Sequence, residues 1–255
     1  MNSYEHYADW LNARNGLPKE TRIGLVPTMG ALHTGHKSLL EKARRENDFL
    51  VLSIFVNPTQ FNDLNDYQHY PRTLESDRRI AEECNVDALL IPSEKDMYPY
   101  GNDMPIITHH PASQIMEGKV RPGHFNGVLT VVMKLLQWAK PTCVYFGEKD
   151  FQQYLLICEL VKNYFLDVEV IGCETMREAS GLPLSSRNQR FDSEQIKLAH
   201  RFAELLRSGS YDDLAAIQQR LEAAGLIVEY LEKHFGRLFV AVECHGIRLI
   251  DNFAV

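Results

Sequence analysis

The stretch Val26-Pro27-Thr28-Met29-Gly30-Ala31-Leu32-His33-Thr34-Gly35-His36 continues a short apolar run at 23–26 and leads into the segment 37–47. The run has the composition of a buried parallel strand and the following segment that of a helix, so the stretch between them is a strand-to-helix turn. Two histidines bracket Thr34 and Gly35 there. The amino end of a helix leaves backbone N–H groups unpaired and carries a partial positive charge, a setting suited to phosphates and other anions.

Working outward, the near-continuous apolar run 49–56 reads as a second strand, ended by Asn57-Pro58-Thr59-Gln60-Phe61, where proline breaks the ladder. Residues 73–83 read as a helix opened by Thr-x-x-Ser, and 86–91 as a third strand stopped by Pro92. This β-α-β-α-β order predicts right-handed crossovers and a doubly wound parallel sheet. Ligands of such sheets bind at the carboxyl ends of the strands.

Upstream, residues 4–13 read as a short amphipathic helix ended by Asn15-Gly16. Downstream, a short strand is expected at 104–108, a short helix at Ile115-Met116, an apolar helix at 123–139 and a fourth strand at 143–146. Gly147-Glu148-Lys149-Asp150 then turns into a helix at 151–165, repeating the layout of the first motif, and 167–171 is a fifth strand. Residues 177–190 have no period and read as a loop. Beyond them, apolar residues at helical spacing over 196–206 and 214–221 precede strands at 227–231, 238–242 and 247–250. The expected fold is α/β, a Rossmann-like doubly wound parallel sheet over 1–190 with a small carboxyl-terminal α+β cap domain over 191–255.

A chain of 255 residues with a formal net charge of -7 is long enough for a substantial core, and that charge argues against a general nucleic-acid binder. A local basic pocket for a small anion remains compatible with it. The five cysteines, Cys84, Cys143, Cys158, Cys173 and Cys244, are scattered and lack a Cys-x-x-Cys pair, so reduced thiols are expected rather than disulfides or a zinc site. Residues 1–15 are polar, unlike a signal peptide, and no run of about 18 apolar residues occurs, so a cytoplasmic protein is expected. No P-loop or Gly-x-Gly-x-x-Gly fingerprint is present.

His33 and His36 are candidate donors to phosphate oxygens; as alternatives, one caps the helix and the other is a surface histidine. A metal reading needs a third ligand, and nothing in the spacing selects His109, His110 or His124. Lys149 and Asp150 can neutralise a transferring phosphoryl group and accept from a ribose hydroxyl, or can form an exposed ion pair. Ser185-Ser186-Arg187 offers hydroxyls and guanidinium donors for phosphates. Gln60 and Gln153 both donate and accept, as recognition of a hydroxy acid requires. Arg121 fits either a helix start or a ligand contact. For Asp77 a solvated helix carboxylate is favoured over a magnesium ligand.

Taken together, Pro27-Thr28-Met29-Gly30-Ala31-Leu32-His33-x-Gly35-His36, Phe55-Val56-Asn57-Pro58-x-Gln60-Phe61, Tyr70-Pro71-Arg72-Thr73, Arg121-Pro122-Gly123-His124-Phe125, Phe146-Gly147-Glu148-Lys149-Asp150-Phe151-Gln152-Gln153 and Ser185-Ser186-Arg187-Asn188 closely resemble the pantothenate synthetases. These are pantoate–β-alanine ligases that form pantothenate with ATP. His-x-Gly-His alone would indicate only the wider nucleotidyltransferase superfamily, whereas the joint set is specific to the ligase. The resemblance implies a pantoyl-adenylate intermediate, release of pyrophosphate and AMP, a magnesium ion bridging ATP phosphates, and a homodimer.

By the same resemblance, Met29, Gly30, Ala31, Leu32, His33, Thr34, Gly35 and His36 line the ATP site, with His36 the proton donor and His33 a phosphate contact. Lys149 and Arg187 would stabilise developing charge beside Ser185 and Ser186. Gly147, Glu148, Asp150, Met176 and Leu184 would complete the nucleotide site, Gln60, Gln153, Asn57 and Arg121 the substrate site, and Asp77 would be a metal ligand. The carboxyl-terminal region looks shortened between Val228 and Gly236 relative to the family, away from the expected substrate contacts. Two rival readings are a nucleotidyltransferase that stops at an adenylylated product and a nucleotide-binding sensor without catalysis.

Overall fold

Side chains of the strand Ile23–Thr28 alternate between two separate apolar clusters, Ile23 and Leu25 in one and Val26 in the other. Neighbouring strands do the same: Val51, Ala88, Leu90 and Val144 fall on one face, and Leu50, Leu52, Leu89, Cys143 and Tyr145 on the other. A period of two with both faces covered is what makes these runs continuously apolar.

The computed structural model describes residues 1–101, 110–207 and 211–255, without the side chain of residue 190. The strand expected at 104–108 and His109 lie outside the described residues. In chain order the first elements are β1 (Asn2–Tyr4), α1 (Tyr7–Asn15), β2 (Ile23–Thr28), α2 (Thr34–Glu46), β3 (Phe49–Ile54), α3 (Leu64–Gln68), α4 (Leu74–Glu83), β4 (Ala88–Leu90) and α5 (Glu94–Met97). There follow α6 (Met116–Val120), α7 (His124–Ala139), β5 (Cys143–Gly147), α8 (Phe151–Asn163), β6 (Glu169–Cys173), α9 (Ser193–Arg207), α10 (Leu214–Ala223), β7 (Ile227–His234), β8 (Arg237–Cys244) and β9 (Ile247–Ala254). The first six strands form one parallel sheet in the order β1-β4-β3-β2-β5-β6. From β2 the chain adds β3 on one side and later β5 on the other, which makes β2 and β5 the switch point of a doubly wound sheet.

The start of the chain differs from expectation. The helix expected from Tyr4 is preceded by an edge strand over 2–4, because Asn2, Ser3 and Tyr4 pair in register with Ala88, Leu89 and Leu90. A three-residue strand is too short to show a period, and the helix begins only at Tyr7, placing Trp10 in the core with its indole N–H donating to the carbonyl of Trp138 at 2.9 Å. Helices α3 and α5, of 5 and 4 residues, were likewise too short to be legible as periods. All five cysteines are free thiols, and no helix among the described residues is long and apolar enough to cross a membrane.

The chain divides into two compact units, Met1–Gly147 with Gln152–Cys173, and Glu148–Phe151 with Glu174–Val255. The second extends further toward the amino end than the cap expected from residue 191. Leu182 is fully buried in its apolar cluster, Arg177 bridges to Pro183, and Arg177 also pairs with Asp251, so residues 174–190 pack with the antiparallel sheet β7-β8-β9. The two hairpins close on Phe235-Gly236 and His245-Gly246, with all four residues at positive φ (53°, 69°, 46° and 83°). That is the signature of two-residue turns whose twist matches the strands. The segment that looks shortened, 228–236, is therefore a tight hairpin.

Candidate active site

In the first unit the strand-to-helix turn after β2 is built by the two histidines themselves. His33 is the N-cap of α2: its Nδ1 accepts from the Gly35 N–H at 3.1 Å, while Nδ1 of His36 accepts from the His33 N–H at 3.3 Å. This is a reciprocal capping box made of two imidazoles, with ring centroids 4.1 Å apart. An Nδ1 that accepts from an N–H carries no hydrogen, so both neutral rings hold theirs on Nε2. Capping thus uses Nδ1 of both rings, not of one alone. Helix α2 starts at Thr34, three residues before the apolar period suggests, because His33 supplies the cap.

Ahead of the box, Gly30 and Ala31 lie in the left-handed region, at φ 80° and 49°. That conformation is unfavourable for alanine, and Asp77 on α4 secures it. Its Oδ2 accepts from the Ala31 N–H at 3.1 Å and its Oδ1 from the Leu32 N–H at 2.7 Å, while Thr73 Oγ1 reaches both oxygens at 3.2 and 3.3 Å. Asp77 is 1% exposed, which corrects the expectation of a solvated helix carboxylate. Both oxygens serve the turn, so Asp77 does not fit a direct magnesium ligand, and the described residues hold no group of three His, Cys, Asp or Glu that could bind a metal. Asp77→Asn, which puts an amide NH2 against a backbone N–H, is expected to cost about 2 kcal/mol in chemical denaturation, the scale of one charge-assisted bond.

The carboxyl end of β3 delivers Asn57 and Gln60. Asn57 is buried: Nδ2 donates to Gln60 Oε1 at 3.0 Å and to the Gly127 carbonyl at 3.2 Å, and Oδ1 accepts from Thr59 at 3.0 Å and from the Tyr98 hydroxyl at 2.7 Å. Burial pushes the Tyr98 hydroxyl pKa up and so keeps it a donor. Gln60 Nε2 also approaches the Met29 sulfur at 3.2 Å, a weak acceptor. Behind this side chain, Arg121 Nη2 at 3.1 Å and His124 Nδ1 at 2.8 Å converge on the Gln60 carbonyl. Asn57 and Arg121 thus hold Gln60. Gly127 lets α7 come this close, since a Cβ there would sit 2.5 Å from the Thr59 carbonyl oxygen.

Of the paired glutamines after β5, Gln152 is the buried one. It donates to the carbonyls of Ala112 at 2.5 Å and Ile115 at 2.9 Å and accepts from the Glu117 N–H at 3.1 Å. Gln153, beside it in the first turn of α8, is half-buried.

In the second unit, Met176 and Leu184 are joined by a backbone bond at 3.0 Å across a narrow loop that Arg177 and Pro183 bridge. Ser185 then accepts from the Arg187 N–H at 3.3 Å and opens a 3-10 turn over Ser186–Arg190. The region read as a periodless loop is therefore ordered by local bonds, with Ser186 buried. Lys149 is only 19% exposed, its ammonium 3.6 Å from the Asp150 carboxylate.

Residues 1–254 match the family model described as pantoate-beta-alanine ligase. The chain belongs to the pantoate–β-alanine ligase family. It is 51% identical over 240 residues to the pantothenate synthetase of Francisella tularensis subsp. novicida (strain U112), covering 94% of this chain and 92% of that one. A crystal structure of pantoate-beta-alanine ligase from Francisella tularensis, complexed with beta-gamma ATP and beta-alanine, superposes with TM-score 0.97 at 48% identity, covering 100% of this chain and 97% of that one. The pantothenate synthetase from Thermus thermophilus superposes with TM-score 0.88 at 39% identity, covering 100% of this chain and 99% of that one.

Sequence reasoning about the family's motifs missed the residues behind them: Thr73, Tyr98, His124, Gly127 and Gln152. Tyr98 and Gly127 stand outside the quoted motifs and act through contacts far along the chain, whereas Thr73, His124 and Gln152 stand inside motifs that assign them no role of their own.

Proposed function

We propose that this ligase takes ATP as its magnesium complex, forms an enzyme-bound pantoyl adenylate with release of pyrophosphate, and passes the acyl group to β-alanine with release of AMP. In the first step a pantoate carboxylate oxygen attacks the α-phosphorus and the bond to the bridging oxygen of pyrophosphate breaks. In the second the β-alanine amine attacks the acyl carbon, loses a proton, and the C–O bond to AMP breaks. The observation that carries the reading is the imidazole capping box: it directs two neutral Nε2–H donors from the amino end of α2, at the switch point of the sheet.

Met29 to His36 would line the nucleotide, with His33 a phosphate contact and His36 the donor to the oxygen that leaves. Lys149, Ser185, Ser186 and Arg187 would stabilise charge growing on phosphate oxygens. Gly147, Glu148 and Asp150 would meet the ribose, and Met176 and Leu184 would lie along the nucleotide. Gln60 and Gln153 would hold pantoate, Gln60 being fixed for it by Asn57 and Arg121. The active form would be a cytoplasmic homodimer.

The test is pantoate-dependent exchange of labelled pyrophosphate into ATP without β-alanine, followed by AMP release when β-alanine is added. Exchange without later β-alanine-dependent AMP release would show an adenylyltransferase that stops, and absence of both would overturn the ligase reading. Gln60→Ala is expected to raise the KM for pantoate about 10- to 100-fold while ATP binding stays within about twofold, as loss of hydrogen bonds to one substrate requires. Equal loss for both substrates in steady-state kinetics would contradict a dedicated pantoate contact.

A further inference from the structure

The turn at Glu148–Asp150 is held from the other end of the chain. Asn252 on β9 is 2% exposed, and its Nδ2 donates to the carbonyl oxygens of Glu148 and Lys149, both at 2.9 Å. Its orientation is fixed independently. Arg237 Nε lies 2.6 Å from Asn252 Oδ1; a guanidinium only donates, so that atom is the oxygen and the NH2 faces the two carbonyls, which only accept. Arg237 is itself seated over the Phe151 ring, 4.3 Å from its centroid.

The two carbonyls that Asn252 grips flank the Cα of Lys149. Fixing both peptide planes fixes the direction of the Cα–Cβ bond between them, and with it the root of the lysine side chain. A long flexible side chain delivers its charge to one place only if its root is held, and small displacements of a charged group are expensive in catalysis.

We infer that Asn252 is a positioning residue for Lys149, with Arg237 orienting its amide. This rests on the proposed role of Lys149 in stabilising phosphate charge. The residue is 103 positions from Lys149 along the chain, outside every motif that carries the family resemblance.

A double-mutant cycle tests it on the full-length enzyme, using pantoate- and β-alanine-dependent AMP formation. Asn252→Ala, which removes both donors, is expected to lower kcat about 10- to 100-fold while the KM for β-alanine stays within about twofold. In a Lys149→Ala background the same substitution is expected to cost less than about twofold, because the group it positions is gone. Arg237→Met, which leaves the Asn252 amide in place but releases its orientation, is expected to follow the same pattern at smaller size, and serves alone if Asn252→Ala does not fold. Equal losses in both backgrounds would overturn the inference, since a general structural role is indifferent to Lys149. A wild-type rate for Asn252→Ala alongside an impaired Lys149→Ala would overturn the inference and leave the role of Lys149 standing. A wild-type rate for Lys149→Ala would overturn both.

Discussion

In single-turnover measurement, Lys149→Ala is expected to slow adenylate formation by about 10²–10³-fold, the scale of removing one preorganised charge-stabilising group. The melting temperature is expected to stay within about 3 °C of wild type. The two effects separate because the lysine does little for the fold. Its ion partner in the structure, Asp150, lies 3.6 Å away and is 46% exposed, and such a pair is worth at most about 1 kcal/mol. In the proposed mechanism, attack on the α-phosphorus would transfer negative charge to the departing pyrophosphate, and the mostly buried ammonium would meet that charge in a medium less polarisable than water. The substitution should therefore depress kcat more than it raises the KM for ATP, since the interaction grows in the transition state. A rate unchanged in rapid-quench measurement would remove Lys149 from the mechanism.

What could be read in advance follows from how far apart the interacting residues lie. Helices α7, α9 and α10 repeat their apolar residues at helical spacing, and β2, β3 and β5 lie in near-continuous apolar runs, so both kinds of element are visible in a window of about ten residues. The motif turns could be read because proline or glycine and a helix start mark them locally. As a helix carboxylate with charged neighbours at Glu75 and Arg78, Asp77 has no local signature of burial. Its partners, the N–H groups of Ala31 and Leu32, are more than forty residues away and demand a carboxylate only because the chain turns left-handed at Gly30 and Ala31. Asn252 and Gln152 share that property: each is a polar side chain whose partners are main-chain carbonyls of a distant turn. Backbone partners leave no trace in the identity of the residues that provide them. The histidine box is the opposite case, complete within four residues: the sequence offers one of the two rings as a cap, and both serve as caps.

Arg177→Met is expected to destabilise the protein by about 3–5 kcal/mol near neutral pH, by leaving a buried carboxylate without its counter-charge. Asp251 is fully buried, and Arg177 holds it bidentately, Nη1 to Oδ2 at 2.6 Å and Nη2 to Oδ1 at 2.8 Å. Burial pushes the Asp251 pKa up, and the hydrogen bonds and charge of Arg177 pull against it. Without Arg177 only the Asn252 N–H and the charge of Lys149 still oppose the upward push, so the folded variant binds a proton that its unfolded chain does not bind until well below neutral pH. Stability then rises as pH falls from the raised folded pKa toward the ordinary carboxylate range, and is lost again as pH climbs. The penalty of Arg177→Met should accordingly shrink between pH 8 and pH 5 in denaturant titrations. Adding Asp251→Leu should recover much of it at pH 8, because no charge is then left buried. Arg177 also donates to the Gly181 carbonyl at 3.0 Å and lies 4.7 Å from the centroid of the Phe253 ring. Loss of those two contacts alone would cost the same at every pH, so a penalty flat in pH would assign the stabilisation to them and not to the ion pair.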